Sequence, residues 1–494
     1  MEKKVSLLIP VAAALVLAAC GGNTSSAESS GQNSGPVITA PTEITFMSNS
    51  SYGDTIDAII ADFKNVEPNV TVKNVKETGS YDFVKEKVIS QLSTNQHPDL
   101  FVGYPDAVQE IMTYDKIVKL DDYMNHPVYG WSAADMEDII PAYLEEGSSY
   151  PVPGYWSLPF AKSTEAMYYN QTALKDLNLS AEDATINNGE PLSEAYLNNL
   201  TWEEVFDHLL PAIKSYNDKL PDEKKIIRAH ATHGASIFGY DSDDNLFITF
   251  AEQYGYGYTS VDKTTGTGNL DFVNDGMKGL MKKLNAIHNF GTDSGLSKGA
   301  FMTKGTFGTY TNTAFTAQAS LFSIGSTGGI KYQKSENFTT GVARIPHAAG
   351  KEAKVINQGP SLAILDHDDA NRATASWLFY KFLTNERNAT QWAVKTGYSP
   401  IRYSTSQSQA YIDYSNVDAY GATSLEALQA RVAKYVTTVN DNLFISPVFK
   451  GSAAARTEVG ALTTKLLKAT PAELTDAFIN EAFSLAETNA KKKM

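Results

Sequence analysis

From Glu43 onward, short β-branched and aromatic runs alternate with segments whose apolar residues recur at helical spacing. Ile44-Thr45-Phe46-Met47 reads as a strand. Residues 54–63 follow, with Ile56, Ile59, Ile60 and Phe63 at i, i+3, i+4 and i+7, the stripe of an amphipathic helix. Val70-Thr71-Val72 predicts a second strand, and residues 81–92 a helix with Val84, Val88 and Leu92 on one stripe. Leu100-Phe101-Val102 predicts a third strand, with a helix over 106–112 after it. A βαβαβα order calls for a mainly parallel sheet with helices on both faces. Ligands in such sheets bind beyond the carboxyl ends of the strands. Here those ends are the loops 49–54, 79–81 and 103–106.

The pattern changes after a turn-rich stretch at 150–156. Helices are expected near 201–216, 247–254 and 274–290, and a strand at 340–345. Thr201-Trp202-Glu203-Glu204 pairs an N-capping threonine with an acid three residues on, a capping-box start. Residues 355–365 read as a strand pair or one bent strand, and 372–383 and 388–395 as helices. The last ninety residues read helical over 424–438, 453–467 and 471–490, and no repeat of fixed period is present.

Before Glu43 the pattern is different. Glu2, Lys3 and Lys4 precede an apolar run of thirteen residues, 7–19, interrupted by Pro10. That is too short to span a bilayer and fits the core of a signal peptide. It ends in Leu17-Ala18-Ala19-Cys20-Gly21, which resembles the bacterial lipobox. The resemblance implies that Cys20 is acylated on its thiol and begins the mature chain. Cys20 is the one cysteine in 494 residues, so no internal disulfide, cysteine metal cluster or dithiol redox pair is available. Residues 21–40, rich in Ser, Gly and Asn, hold too little apolar surface to offset the entropy of ordering. They predict a flexible tether reaching roughly 25 Å.

The remaining length is too great for one core and suits two lobes. A formal charge of −15 argues against nucleic acid, whose binding is driven by Lys and Arg on phosphates. It also points to membrane contact through lipid alone. Tyrosine in excess of phenylalanine, 26 against 22, suggests aromatic rings at a wet, ligand-facing surface.

Several separated landmarks resemble the extracellular solute-binding proteins of the maltodextrin- and glycerol-phosphate-binding type. Leu158-Pro159-Phe160 with Tyr168-Tyr169-Asn170 looks like the crossover from lobe one to lobe two. Thr201-Trp202-Glu203-Glu204-Val205 resembles a helix start of that family, and Gly359-Pro360-Ser361-Leu362-Ala363 its return crossover. Trp377, Phe382-Leu383, Gln391-Trp392 and Thr396-Gly397-Tyr398-Ser399-Pro400-Ile401 resemble its paired helices and the segment after them. The resemblance implies an α/β fold of two lobes joined by three crossover segments, with a solute held between them. Lobe one is expected to comprise 42–158 and 345–397, and lobe two 159–344 and 398–494. The leader occupies 1–20 and the tether 21–41.

The glycerol-phosphate branch of the family implies a set of contact residues. Gly79-Ser80-Tyr81 matches its Gly-x-Tyr turn, so Tyr81 would stack on or hydrogen-bond the ligand. Asp106 stands where the branch has a glutamate, one methylene shorter. Ser163 matches a serine of the first crossover, with Lys162 before it in place of another serine. Thr306 replaces a serine, while Gly359, Tyr398 and Arg456 match outright. A guanidinium at Arg456 suits a phosphate, with hydroxyls and a close glycine backbone completing the cradle. The implied role is the substrate receptor of an ABC importer: monomeric, lipid-anchored on the extracytoplasmic face, delivering glycerol 3-phosphate, a glycerophosphodiester or a sugar to a membrane permease. No enzyme activity, cofactor or metal is expected.

Other constellations compete. Neutral oligosaccharide is the alternative cargo, with Tyr155 and Trp156 stacking on sugar rings. Asp241, Asp243, Asn245 and Glu252 superficially match a calcium loop, but the position that needs glycine is Leu246. His230 and His233 could pair at a zinc, yet no third ligand is visible. Asp106 and Glu165 could face one cleft as the carboxylates of a cell-surface glycoside-acting enzyme. No nucleophile elbow, phosphate loop or dinucleotide fingerprint is present.

Overall fold

The computed structural model describes residues 37–49, 52 and 54–494. The leader, Cys20 and most of the expected tether lie outside the described residues. The packed body begins inside that tether: the Val37 and Ile38 amides donate to the Glu67 carboxylate, and the Ile38 side chain is buried.

The first elements follow the predicted order. They are β1 (Thr42–Asn49), α1 (Thr55–Phe63), β2 (Val70–Glu77), α2 (Tyr81–Leu92), β3 (Leu100–Gly103) and α3 (Pro105–Met112). β1 pairs in parallel with β2 and with β3. Local chemistry sets the helix starts: the Ser80 hydroxyl accepts from the Phe83 amide at α2, and Pro105 opens α3, where its missing N–H is no loss. Both helices therefore begin on the carboxyl-end side of the sheet.

The sheet is not wholly parallel. Strand Ser361–Ile364 lies antiparallel between β3 and Leu158–Pro159. The second sheet has the order Thr340–Ala343, Glu165–Asn170, Phe322–Ser326, Phe238–Tyr240, Phe301–Thr303. Its Glu165–Asn170 strand is antiparallel to both neighbours, whereas the three strands beyond it run parallel. Both departures have one cause. These strands are entered directly from the opposite sheet, not through a helix, so the rule for βαβ units does not apply to them.

The stretch at 355–365 divides for the same reason. Val355–Ile356 pairs with Leu443–Phe444 beside the second sheet, and Ser361–Ile364 joins the first. At Thr201 the cap forms, its hydroxyl accepting from the Glu204 amide at 3.1 Å, but Glu204 turns to the Tyr196 hydroxyl instead of closing a box.

Each sheet has its own core. The first packs Phe46, Phe160, Trp377, Phe379 and Trp392 together; the second gathers Trp202, Phe238, Phe250, Phe301 and Phe322 with the C-terminal helices. Neighbouring Ile139 and Ile140 fall in different cores. Three chain segments run side by side between the sheets. Ser163 and Gln358 exchange backbone hydrogen bonds of 3.0 and 2.9 Å, and the Ser399 amide donates to the Lys162 carbonyl at 2.8 Å. The molecule is thus two α/β bodies joined by three crossovers.

Candidate functional site

A cavity of about 920 Å³ lies between the two bodies. Its first wall comes from the loops and helix starts after β2 and β3: Tyr81, Tyr104 and Asp106. The crossovers supply Glu165, Asn357, Gln358 and Gly359. The second body adds Asp241, Asp244, Asn245, Tyr310, Ser326, Tyr332 and Arg456.

Of the residues expected at the site, Tyr81, Asp106, Gly359 and Arg456 line the cavity together. Tyr398 stands one layer behind, its hydroxyl 3.2 Å from that of Tyr81, which is in turn 2.8 Å from Tyr52. The Tyr398 ring lies parallel to Trp392, with centroids 5.9 Å apart, so it props Tyr81 from behind. Ser163 is buried beneath Ser326, whose hydroxyl donates to it at 3.4 Å. Thr306 sits outside the lining, in a capping box with Thr303. Tyr155 and Trp156 also lie outside it, packed against the core of the first body, with the Trp156 indole N–H on the Val152 carbonyl.

Asp106 does not cap its helix. It reaches across the cavity and accepts a hydrogen bond from the Ser452 hydroxyl of helix Ser452–Lys468. Gly359 has φ of +87°, and an added Cβ would meet the Ala161 carbonyl oxygen at 2.1 Å. Only glycine lets the return crossover run this close to the outgoing one.

Arg456 projects from the Ser452–Lys468 helix. Its Nη1 donates to Asn245 Oδ1 at 2.6 Å and to Asp244 Oδ2 at 3.0 Å. Its Nε and Nη2 have no acceptor among the described residues. Burial pushes the Asp244 carboxyl up, but Arg456 and the Ser242 hydroxyl outweigh it and hold the group below the usual carboxylate range. Two of the acids that superficially matched a calcium loop, Asp241 and Asp243, are spent on the protein, and the third, Glu252, is exposed. Asp241 accepts from Thr311, Asp243 from Thr303 and the Gly305 amide, and helix Asp243–Tyr254 runs straight through the segment. His230 and His233 stack on each other with centroids 4.6 Å apart. Among the described residues no cluster of His, Cys, Asp or Glu is arranged to hold a metal.

Two lining carboxyls have roles that the sequence reading missed. Glu146 accepts from the Lys162 ammonium, from Ser361 Oγ at 2.8 Å and from Asn357 Nδ2 at 3.0 Å. Lys162 has no solvent exposure, and it also donates to the Gly359 carbonyl at 2.8 Å. Burial pulls its ammonium below the ordinary lysine range, against the pull of Glu146. Glu165 accepts from the Tyr240 hydroxyl and from Asn245 Nδ2 at 3.0 Å, and burial pushes its carboxyl up to about 7. Lys162 and Glu165 showed in the sequence as charges within the first crossover segment, whereas Glu146, at the end of helix Pro141–Glu146, carried no signal.

Seven carboxyl side chains line the cavity against three cations, Lys85, Lys304 and Arg456. Lys85 is paired with Glu110 at 3.1 Å, and Lys304 sits 4.1 Å from the Tyr310 ring centroid. Polar groups from both bodies and aromatic edges thus enclose a volume fit for a small polar organic molecule.

The chain belongs to the bacterial extracellular solute-binding protein family, which it matches over residues 58–419. It is a solute-binding protein of two lobes. It is 22% identical over 367 residues, 73% of this chain and 75% of the relative, to the sn-glycerol-3-phosphate-binding periplasmic protein UgpB of Salmonella typhimurium. Its fold is similar to that of UgpB from Mycobacterium tuberculosis in complex with glycerophosphocholine, with a TM-score of 0.65 and 19% identity over 93% of this chain and 98% of the other. It is also similar to the sugar-binding protein MalE from Xanthomonas citri, with a TM-score of 0.64 and 14% identity over 91% and 98% of the two chains. Among the described residues no helix is long and apolar enough to cross a membrane.

Proposed function

We propose that the cleft captures a glycerophosphodiester for an ABC importer, and that the chain, anchored through lipid on Cys20 at the extracytoplasmic face, delivers it as a monomer to the membrane permease. The observation that carries this reading is Arg456, a cavity-lining guanidinium with unused donors among seven lining carboxyls. A guanidinium fork suits a phosphate, while the surplus of acid disfavours a second negative charge and tolerates a cationic head group. Tyr81, Asp106 and the Gly359 backbone are the accompanying contacts, Tyr398 and Ser163 support the wall behind them, and Thr306 caps the short Lys304–Phe307 helix in the second body. One relative called UgpB is named for binding sn-glycerol 3-phosphate and the other was solved in complex with glycerophosphocholine, which agrees with this cargo. We assign 42–158 with 345–397 to one lobe and 159–344 with 398–494 to the other.

Titration calorimetry of the purified full chain in detergent tests the cargo. Glycerophosphocholine binds, sn-glycerol 3-phosphate binds more weakly, and maltotriose gives no heat. Arg456→Ala weakens glycerophosphocholine by about ten- to a hundredfold, as expected for hydrogen bonds from a charged donor. The half-exposed rings of Tyr104, Tyr310 and Tyr332 favour a second reading, a neutral oligosaccharide. Heat from maltotriose with none from either phosphate compound would establish it in place of the first.

A further inference from the structure

We propose that Glu165 is a specificity-determining residue that takes up a proton when an anionic group binds at Arg456, so that anion capture is proton-linked; the inference rests on the phosphodiester reading above. Glu165 lines the cavity floor yet is 1% exposed. It is joined to Arg456 through one side chain, since Asn245 donates to Glu165 Oε1 at 3.0 Å and accepts from Arg456 Nη1 at 2.6 Å. Arg456 is already neutralised by Asp244 at 3.0 Å. A phosphate added to this group brings a net negative charge close to a buried carboxylate, and a like charge at short range favours the protonated acid.

The surroundings can accept either protonation state. With Glu165 ionised, the Tyr240 hydroxyl donates to Oε2. With Glu165 protonated, that bond reverses, and the Tyr240 hydrogen needs another acceptor. Thr249 Oγ1, buried beside the Tyr240 hydroxyl, is positioned to take it. The remaining elements packed on Glu165 bring no further cation. Gln358 Nε2 faces it from the return crossover at 3.5 Å, and the Tyr435 hydroxyl binds its backbone carbonyl at 2.6 Å. Its neighbours in the adjoining strand, around Ser326, are uncharged. Asp244 and Arg456 are the charged groups that act on it directly, and burial pushes its carboxyl up to about 7, where a small perturbation moves a proton.

The sign follows. Bound anion raises the Glu165 value further, so protons are taken up and affinity falls as pH rises through about 7, by at most about tenfold per pH unit for one proton. The test is calorimetry of the full chain with glycerophosphocholine, whose phosphodiester does not titrate near neutrality, at pH 6, 7 and 8 in buffers of differing ionisation enthalpy. Wild type is expected to take up a fraction of a proton at pH 7, and Glu165→Gln none, with an affinity that no longer varies with pH. Binding by wild type without proton uptake, or uptake that persists in Glu165→Gln, overturns the role of Glu165 and leaves the cargo standing. Absence of glycerophosphocholine binding at every pH overturns both. Should Glu165→Gln not fold, Tyr240→Phe, which removes the hydroxyl bonded to Glu165 Oε2, is expected to change the proton uptake at pH 7, and unchanged uptake overturns the role of Glu165.

Discussion

Lys162 has no contact with solvent, and its ammonium is held by one carboxylate, one carbonyl and nothing else that is charged. Removing a single partner of such a pair leaves an uncompensated buried charge, which costs about 3–5 kcal/mol. Lys162→Met is therefore expected to lower the urea midpoint markedly, whereas Lys162→Met with Glu146→Gln recovers most of the loss. A double variant no more stable than Lys162→Met would contradict the pairing. The family resemblance implied a serine at this position, so the lysine stood out without coordinates. Its partner was not, because Glu146 and Lys162 meet only after the chain turns back at 147–157.

Helix Ser452–Lys468 carries four cavity residues, Ser452, Ala453, Arg456 and Thr457, and its far end is held in an unusual way. Buried Asn285 donates to the carbonyls of Leu466, Leu467 and Ala469 at 2.8, 3.3 and 2.7 Å; the Ala469 amide also reaches Leu466, but the other two carbonyls have no backbone donor among the described residues. Asn285→Ala leaves the Leu467 and Ala469 carbonyls unpaired and is expected to cost about 1–3 kcal/mol, read as a drop in unfolding midpoint. An unchanged midpoint would mean water replaces the amide. At this scale periodicity was a good guide. The Tyr81–Leu92 helix and the parallel β1, β2 and β3 were legible because apolar stripes and strand runs are local properties. The two antiparallel insertions were not, since direction depends on which sheet a strand comes from. Nor was the layering of Tyr398 behind Tyr81: a tyrosine beside a cleft and one facing it look alike in sequence, and only packing on Trp392 separates them.

For the whole molecule, the cavity draws on both lobes, so a ligand that touches both walls stabilises the closed arrangement over any open one. Small-angle scattering of the full chain is expected to show a smaller radius of gyration with saturating glycerophosphocholine than without it. Arg456→Ala at the same ligand concentration is expected to scatter like the ligand-free protein. An unchanged radius in wild type would mean that capture proceeds without closure. The charged cluster around Lys162 lies at the crossovers, so opening and closing turn about a point where the three segments remain bonded to one another.

The strand Ser361–Ile364 has a consequence for the order in which the chain becomes a protein. It sits between β3 and Leu158–Pro159, pairing Ser361 with both Gly103 and Pro159. Synthesis delivers β1, β2 and β3 early, but their sheet keeps an open edge until the ribosome has passed the whole first segment of lobe two and reached residue 364. Bare strand edges invite pairing with other chains. Native closure of the first lobe is thus a late event that waits on distant sequence, which makes it slow in relation to local helix formation. A nascent chain of this topology therefore carries an incomplete first lobe until residue 364 has been made.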